Sequence, residues 1–408
     1  MKILLQNAKV YRNRAFESAD VVVSDGRIST VSEVHPPLAA DQMISLHSCF
    51  LFPGFVDVHV HLREPGFSYK ETIASGTMAA AAGGFTTVCA MPNLRPVPDS
   101  PETLAEEERL IDALAHVRVR PYGAITRGEQ GREAADLAGL APRVVAFSDD
   151  GKGVQNEDMM RAVMQRARSL GKIVAAHCED ESLLGHDPWG GSPESEWQQV
   201  RRDLRLAAET GCAYHVCHVS TRESVALIRD AKRSGIDVTA ETAPHYLLLS
   251  ERDRRPEGRF RMNPPLRTEA DREALLEAVA DGTIDMIATD HAPHTAAEKE
   301  AGANGVTGLE TAFPVLYTGL VQTGLLSLET LIERMHDAPC RRFGLGSALE
   351  PGAPADLTVF DLNQTWTIDE TALLSMGKCT PFHGRTVSGL CRLTMIEGKI
   401  VWQNTRAN

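Results

Sequence analysis

Within a strand candidate at 55–61, Val56, Val58 and Val60 alternate with Asp57, His59 and His61. A period of two is typical of a β-strand, with one apolar face and one face presenting two imidazoles. Side chains at i and i+2 point the same way, so His59 and His61 are placed to hold one metal ion. A buried strand with two hydrogen-bonded histidines explains the pair equally well. Arg63, a fixed cation two residues further on, favours a functional site.

The middle of the chain repeats this apolar signal at regular intervals. Seven further strand candidates lie at 85–91, 117–125, 143–148, 172–177, 213–219, 237–242 and 284–290. Helical patterns between them begin at Ser100-Pro101, Asn156, Arg222 and Thr268. Eight strands separated by helices predict an α/β fold whose parallel sheet closes into a (β/α)8 TIM barrel. The polar, glycine-containing run 295–308 predicts a long loop suited to act as a lid.

Both ends of the chain predict short strands without helices. They are expected at 2–5, 19–24, 27–31, 356–361, 390–397 and 399–402, with turns at Asp25-Gly26 and Glu397-Gly398. We therefore expect a small β-rich domain built from residues 1–52 and 345–408, with the barrel at 53–344.

The composition of the chain indicates which partners are excluded and which compartment is expected. A net charge of −13 over 408 residues argues against binding to nucleic acid or anionic membranes, since both need basic patches. No apolar run approaches the roughly 20 residues of a membrane-spanning helix, and the N-terminus has no signal-peptide pattern. Eight cysteines are scattered without a Cys-X-X-Cys pair. They predict reduced core residues in a cytoplasmic protein.

Metal-binding residue types recur where the predicted strands end. In a TIM barrel these carboxyl ends share one rim, which carries the active site. Four histidines and two aspartates suit a borderline divalent metal, with zinc the first choice and manganese or cobalt as alternatives. They lie among the strand-end residues His59, His61, Asp149, Asp150, His177, His218, Asp290 and His291.

The order of the motifs resembles that of the bacterial type I dihydroorotases, in the amidohydrolase superfamily. The matching segments span nearly the whole chain. They are DVHVHLREPG at 57–66, residues 76–87, MPN at 91–93, FSDDG at 147–151, CHVST at 217–221, ETAPHY at 241–246, MNPP at 262–265, ATDHAPH at 288–294 and GLETAFP at 308–314.

The resemblance implies a role for each candidate residue. His59, His61 and Asp290 would hold one Zn²⁺ ion, His177 and His218 would hold a second, and Asp150 would bridge them. Arg63, Asn93 and His294 would bind a substrate carboxylate. Asn263 and the backbone of Gly308 and Leu309 would contact the pyrimidine ring. The reaction implied is the reversible cyclisation of N-carbamoyl-L-aspartate to L-dihydroorotate in pyrimidine synthesis. A metal-bridging hydroxide would act with Asp290 as general acid and base.

Several alternatives stay open at this point. Asp149 is the second choice for the bridge and a carboxylated Lys152 the third. Allantoinase or dihydropyrimidinase is the nearest alternative activity, although their substrates lack a carboxylate for Arg63. A non-catalytic subunit that scaffolds aspartate carbamoyltransferase is the alternative from another class. Association with that transferase, and a homodimer, are compatible with catalysis.

Overall fold

The computed structural model describes residues 1–33, 40–184 and 189–404. Its strands, in chain order, are β1 (Lys2–Arg12), β2 (Ala15–Ser24), β3 (Arg27–Ser32), β4 (Gln42–Ser45), β5 (Phe50–Pro53), β6 (Phe55–Val60), β7 (Phe85–Ala90), β8 (Arg118–Pro121), β9 (Gly123–Ala124), β10 (Phe147–Ser148), β11 (Val174–Ala176), β12 (Tyr214–Val216), β13 (Val238–Thr242), β14 (Met286–Ile287), β15 (Leu357–Thr367), β16 (Thr386–Ile396) and β17 (Lys399–Gln403).

Helices occupy most of the connections between the central strands. They are α1 (Ile73–Ala82), α2 (Pro101–Leu114), α3 (Leu137–Leu140), α4 (Glu157–Ser169), α5 (Pro193–Thr210), α6 (Arg222–Arg233), α7 (Pro244–Leu248), α8 (Glu269–Asp281), α9 (Ala296–Glu300), α10 (Ala312–Leu316), α11 (Leu328–Ile332) and α12 (Ala338–Phe343). Helices α10 and α11 continue as π-helical turns at Tyr317–Val321 and Glu333–Asp337. Short 3₁₀ turns lie at Arg127–Glu129, Glu181–Leu183, Glu251–Asp253, Gly258–Phe260 and Glu370–Ala372.

One mostly antiparallel sheet joins the two ends of the chain. Its strand order is β17-β16-β15-β5-β1-β2-β3, and β4 also pairs with β1. The junction is the antiparallel pair β5–β15, in which Leu51 lies opposite Val359. The expected β-rich unit from both termini is therefore confirmed. Its proposed boundaries at 1–52 and 345–408 stay a prediction, and residues 34–39 and 405–408 within them lie outside the described part of the chain.

The central strands form the predicted barrel. Strands β6 to β8 are parallel, as are β9 to β14. Tyr122 separates β8 from β9, since its amide donates to Ala90 whereas the next amide, of Gly123, donates to Ala146. These two pieces therefore form one barrel strand. The amide of His61 donates to the carbonyl of His291 at 2.8 Å, which closes the barrel between its first and last strands.

The barrel strands are shorter than the apolar pattern predicts. The expected strand 143–148 pairs only at Phe147–Ser148, and 284–290 only at Met286–Ile287. Outside these pairs only single backbone hydrogen bonds join neighbouring strands, such as those from the amide of Val145 to Pro121 and from the amide of Ala288 to Thr242. An apolar pattern reports burial, and burial continues past the last ladder hydrogen bond.

Helix boundaries follow the capping signals closely. Ser100, Asn156 and Thr268 are N-caps whose side chains accept a backbone N–H. Gly282 ends α8 in the left-handed conformation (φ 86°) that a side chain disfavours. The expected loop over 295–308 was wrong in part, because Thr295 and Glu298 form a capping box that starts α9. A helix of five residues is too short to show a periodic pattern.

An aromatic cluster attaches the end sheet to the barrel. Phe313 stacks against Phe55 of β6 with ring centroids 5.2 Å apart and lies 4.3 Å from Phe360 of β15. Phe52 of β5 lies 5.6 Å from Phe313. All four rings are fully buried. Burial of aromatic rings is strongly favourable, so this cluster helps to hold the sheet on the barrel. It also fixes β6, the strand that carries the first two candidate ligands.

Two whole-chain expectations concern cysteines and membranes. All eight cysteines are free thiols, and six of them are buried. Among the described residues, no helix combines the length and apolar character needed to cross a bilayer.

Candidate metal centre and active site

Asp150 lies at the centre of the histidines that the strands bring to the rim. Its Oδ1 atom is 3.4 Å from Nε2 of His59 and 3.5 Å from Nε2 of His218. Its Oδ2 atom is 3.4 Å from Nε2 of His61, and Nδ1 of His177 is 3.9 Å from Oδ1. One carboxylate therefore faces four imidazoles contributed by three different strands.

Asp290 completes this arrangement from the last barrel strand. Its Oδ1 atom lies 3.3 Å from Nε2 of His61 and 3.6 Å from Nε2 of His59. The structure thus brings together all six residues proposed as ligands, and each of them is buried.

Two atoms at this centre are buried with no hydrogen-bond partner. They are Nε2 of His59 and Oδ1 of Asp150, which face each other. Buried polar atoms are rarely left unsatisfied, and a ligand or ion is one explanation when they are. The ligand atoms of His59, His61 and Asp290 lie within 4.8 Å of one another, as do those of His59, Asp150 and His218. Neutral imidazole and ionised carboxylate are the donor set that divalent ions take, so these residues fit a metal centre.

Burial and neighbouring charges together set the pKa values of the cluster residues. Burial raises the pKa of Asp150, but His59 and His218 beside it hold that pKa well below its usual range. Burial also raises the pKa of Asp290. His61 and His59 lower that pKa by more, so it lies below the usual range. Burial lowers the pKa of His61, and the nearby Arg63 cation adds to this effect. Both carboxylates are therefore ionised at neutral pH, as metal ligands must be.

Three residues at the rim have backbone conformations that side chains disfavour. Arg63, His218 and Asp290 have φ values of 62°, 34° and 47°. Positive φ is uncommon outside glycine, and such conformations concentrate at functional sites because surrounding contacts must enforce them. Each of these residues follows the end of a barrel strand, where the left-handed turn redirects the chain around the cavity.

A layer of buried polar groups fixes the first histidine. Nδ1 of His59 donates to Oε1 of Glu241 at 2.6 Å, which directs Nε2 towards the cavity. The second carboxylate oxygen of Glu241 lies 3.2 Å from Nε2 of His215, whose Nδ1 is 2.9 Å from Oγ1 of Thr239. Burial raises the pKa of Glu241, but its two histidine neighbours lower it to about 2. Asp57 fixes the backbone instead, accepting from the amides of His59 and Thr289.

The adjacent cavity has a volume of about 250 Å³ and carries nitrogen donors along one side. Arg63 is 8% exposed; its Nε donates to the carbonyl of Pro293, and its second terminal nitrogen is 3.3 Å from Nε2 of His294. Oδ1 of Asn93 accepts from Nδ1 of His61 at 2.9 Å, so the NH₂ group of the same amide remains a donor. The three residues predicted to bind a carboxylate all line this cavity.

Of the three residues predicted to contact the pyrimidine ring, one lines the cavity and two do not. Asn263 lines the cavity, and its amide nitrogen donates to Oε2 of Glu179 at 3.1 Å. The amide of Gly308 donates to Nδ1 of His291, and Leu309 is fully buried. In the described part of the chain, neither of those two lines the cavity. Asn304 and Gly305, a few residues earlier in the chain, do line the cavity. Direct contact of Gly308 and Leu309 with a ligand stays a prediction.

The three alternatives for a bridging ligand occupy different environments. Asp149 accepts hydrogen bonds from the amides of Ile125 and Thr126 and from the Thr126 hydroxyl, so its carboxylate holds the loop after β9. Nζ of Lys152 lies 3.4 Å from the carbonyl of Glu129. Asp150 alone of the three contacts the histidines, which favours it as the bridge.

Three charged residues near the cavity were missed by sequence reasoning. Glu179 contacts His177 and Asn263, Lys70 contacts His294, and Glu71 lies 3.5 Å from His291. Lys70 and Glu71 follow the turn after β6, and Glu179 lies two residues beyond His177. In the sequence, the signal that these residues lie near the site was their closeness to strand-end motifs. Charged residues in loops are usually solvent-exposed, so that signal does not distinguish them.

Comparison with known proteins adds an independent line of support. Residues 49–224 match the family model described as Dihydro-orotase-like. Over their full lengths, the chain is 47% identical to the dihydroorotase of Geobacillus sp. (strain WCH70) and 48% identical to that of Bacillus cereus (strain AH820).

Solved structures agree on the architecture. L-Hydantoinase (dihydropyrimidinase) from Arthrobacter aurescens superimposes with a TM-score of 0.91 at 27% identity, covering 98% of this chain and 96% of that one. Dihydropyrimidinase from Brevibacillus agri NCHU1002 gives a TM-score of 0.88 at 22% identity, covering 99% and 95%, and supports the fold alone. The full-length similarity and the barrel with its rim cluster together show that this chain belongs to the dihydroorotase family.

Proposed function

We propose that this protein is a dihydroorotase, a cyclic amide hydrolase that interconverts N-carbamoyl-L-aspartate and L-dihydroorotate in pyrimidine biosynthesis. The observation that carries the proposal is a buried arginine beside a metal-type cluster. Arg63, which is buried, lines one cavity of about 250 Å³ together with five of the six cluster residues: His61, Asp150, His177, His218 and Asp290. The cluster suits hydrolysis of an amide, and the arginine suits a substrate that carries a carboxylate.

The metal centre in this proposal holds two Zn²⁺ ions. His59, His61 and Asp290 would hold one ion, His177 and His218 the other, and Asp150 would bridge them. Bound ions would supply Lewis acidity and lower the pKa of water. The central position of Asp150 and the hydrogen bonds that already occupy Asp149 support this assignment. Glu241 and Asn93 would fix His59 and His61 with their Nε2 atoms towards the ions.

Substrate binding is assigned to the donor side of the cavity. Arg63, Asn93 and His294 would take the exocyclic carboxylate, and Asn263 would orient the ring. Burial lowers the pKa of Arg63 to about 10, which still leaves a full positive charge at neutral pH. This local cation offsets the acidic character of the chain, whose net charge is −13.

Asp290 is assigned the proton transfer. Its carboxylate is ionised and lines the cavity, with Oδ1 3.3 Å from Nε2 of His61. In the hydrolytic direction it would accept a proton from the attacking water and deliver it to the departing ring nitrogen. In the synthetic direction it would take that proton back. Its restricted left-handed backbone holds the carboxylate at the rim while both steps occur.

The alternative activities fit the cavity less well. Dihydropyrimidinase and allantoinase substrates carry no carboxylate, which would leave a buried arginine facing an uncharged ligand. A non-catalytic scaffolding role is disfavoured because all six proposed ligands are present and adjacent.

The cysteines and the net charge bear on the compartment and the partners of the protein. Eight free thiols support a reducing compartment such as the cytoplasm. A homodimer and association with aspartate carbamoyltransferase rest on the family resemblance alone. The acidic charge balance continues to argue against nucleic acid as a partner.

Replacing Asp150 should remove the second metal ion. Asp150→Ala is expected to bind no more than one zinc per chain and to lose most activity, whereas Lys152→Ala should retain the wild-type zinc content. Metal analysis of both purified variants provides the test. A Lys152 variant that loses metal and is rescued by added bicarbonate would show that a modified lysine forms the bridge.

Removing the arginine should impair substrate binding without affecting the metals. Arg63→Met deletes a charge-assisted contact worth about 1.5–3 kcal/mol, so kcat/KM for dihydroorotate should fall roughly ten- to hundred-fold or more. Arg334→Met is the matched control, since both arginines are 8% exposed. Normal hydrolysis by Arg63→Met at wild-type zinc content would refute the carboxylate anchor.

Replacing the proposed proton carrier should reduce kcat sharply. Asp290→Asn cannot accept the proton, and general acid–base catalysis is typically worth about 10²–10⁴-fold. Metal content must be measured on the same preparation because Asp290 is also a proposed ligand. Near-wild-type turnover with metal bound would exclude the proton-transfer role.

The carboxylate behind His59 should tune metal affinity. Glu241→Gln keeps the shape of the side chain but removes the charge, and such changes typically cost about 10- to 100-fold in metal affinity. Chelator competition measures this directly. Glu107→Gln is the control, because Glu107 is also a buried carboxylate but lies in α2, and it should leave zinc affinity unchanged. Equal affinities in the two variants would contradict the role of Glu241.

A further inference from the structure

His294 is flanked by two cations on its two ring nitrogens. Nε2 lies 3.3 Å from a terminal nitrogen of Arg63, and Nδ1 lies 3.4 Å from Nζ of Lys70. Burial, followed by the charges of Arg63 and Lys70, lowers the pKa of His294 to about 3. The imidazole is therefore neutral at physiological pH, with one N–H and one acceptor nitrogen. Because arginine and lysine only donate, it accepts from one of them and turns its N–H towards the other.

The surroundings favour protonation on Nε2. A proton on Nδ1 would need an acceptor, and the nearest carboxylate oxygen, Oε2 of Glu298, is 3.5 Å away. That oxygen already accepts from the amide and hydroxyl of Thr295, each at 3.1 Å. With the proton on Nε2, Nδ1 instead accepts from Lys70. The Nε2–H and the guanidinium of Arg63 are then adjacent donors, and a carboxylate would relieve their mutual repulsion.

Several contacts hold Lys70 beside Nδ1 of His294, where it favours one tautomer of that ring. Nζ pairs with Oε1 of Glu298 at 2.8 Å and lies over the rings of Phe67 and Tyr69, at 5.4 and 5.7 Å from their centroids. Its side chain is only 14% exposed. In the described part of the chain Lys70 does not line the cavity, whereas Arg63 and His294 do. His294 is therefore the cavity residue through which Lys70 can position a ligand donor.

We propose that Lys70 is a positioning residue that fixes His294 as its Nε2–H tautomer, so that His294 and Arg63 present paired donors to the substrate carboxylate. The inference rests on the proposed dihydroorotase function. It makes selection of an anionic ring depend on three residues, one of which never touches the substrate. Without Lys70, His294 is free to take the other tautomer, accept from Arg63 and leave the carboxylate with one donor fewer.

The tautomer is directly measurable by NMR. We would record long-range ¹⁵N–¹H spectra of zinc-loaded protein with ¹⁵N-labelled histidine, and assign the His294 pattern by its loss in His294→Gln. The wild type should show the Nε2–H pattern, and Lys70→Met should shift it towards Nδ1–H. A wild-type Nδ1–H pattern would overturn the proposal whatever the kinetics show.

Kinetics supply a second readout. Lys70→Met should raise KM for dihydroorotate about tenfold while kcat stays within about twofold, as expected for loss of one hydrogen bond to a charged group. Lys70→Arg keeps the donor and should hold KM within about threefold of wild type. Lys232→Met is the matched control, because Lys232 also pairs with a carboxylate, Asp285 at 2.6 Å, but lies near the opposite end of the barrel. Its kinetics should be those of the wild type.

The dihydroorotase activity and the positioning role of Lys70 can be refuted separately. If the zinc-loaded wild type does not hydrolyse dihydroorotate, the proposed function falls, and the NMR pattern still decides the tautomer. If the wild type is active but Lys70→Met keeps the wild-type KM, the positioning role of Lys70 falls while the dihydroorotase proposal stands.

Discussion

The interaction on which the site depends is the pairing of two buried carboxylates with four buried imidazoles. Asp150 and Asp290 are 3% and 7% exposed, and an isolated ionised carboxylate at such depth would be very costly. The surrounding histidines offset that cost, and they hold the pKa of both acids below the usual range. No single strand carries this set of carboxylates and imidazoles. The centre exists only because the barrel brings the ends of its strands to one rim.

Closure of the barrel is therefore a functional constraint as well as a structural one. The hydrogen bond from His61 to His291 joins the first strand to the last, and it lies between the two ligand-bearing segments. Behind the same strand, Phe55 packs against Phe313 and Phe360, so the end sheet stabilises the position of the first two histidines. A mutation in this aromatic cluster would act on metal binding by displacing β6, without touching any ligand.

The proposed metal binding and carboxylate recognition would impose opposite electrostatic demands within a few ångströms. The cluster needs negative charge to hold cations, whereas a carboxylate substrate needs positive charge. The structure separates the two signs of charge: the aspartates lie among the histidines, and Arg63 and Lys70 flank His294. Arg63 also lowers the pKa of His61, which helps to keep that imidazole neutral and able to coordinate.

The sequence by itself determined the eight barrel strands, the β-rich ends and the six candidate ligands, because periodicity, capping residues and strand-end motifs are local signals. Strand lengths, helix α9 and the positions of Gly308 and Leu309 were decided by the tertiary structure. The contacts of Glu241, Glu179 and Lys70 were decided there too, since each joins segments far apart in sequence or across a turn. A charged residue in isolation predicts solvent exposure, and only the folded chain shows which histidine it contacts.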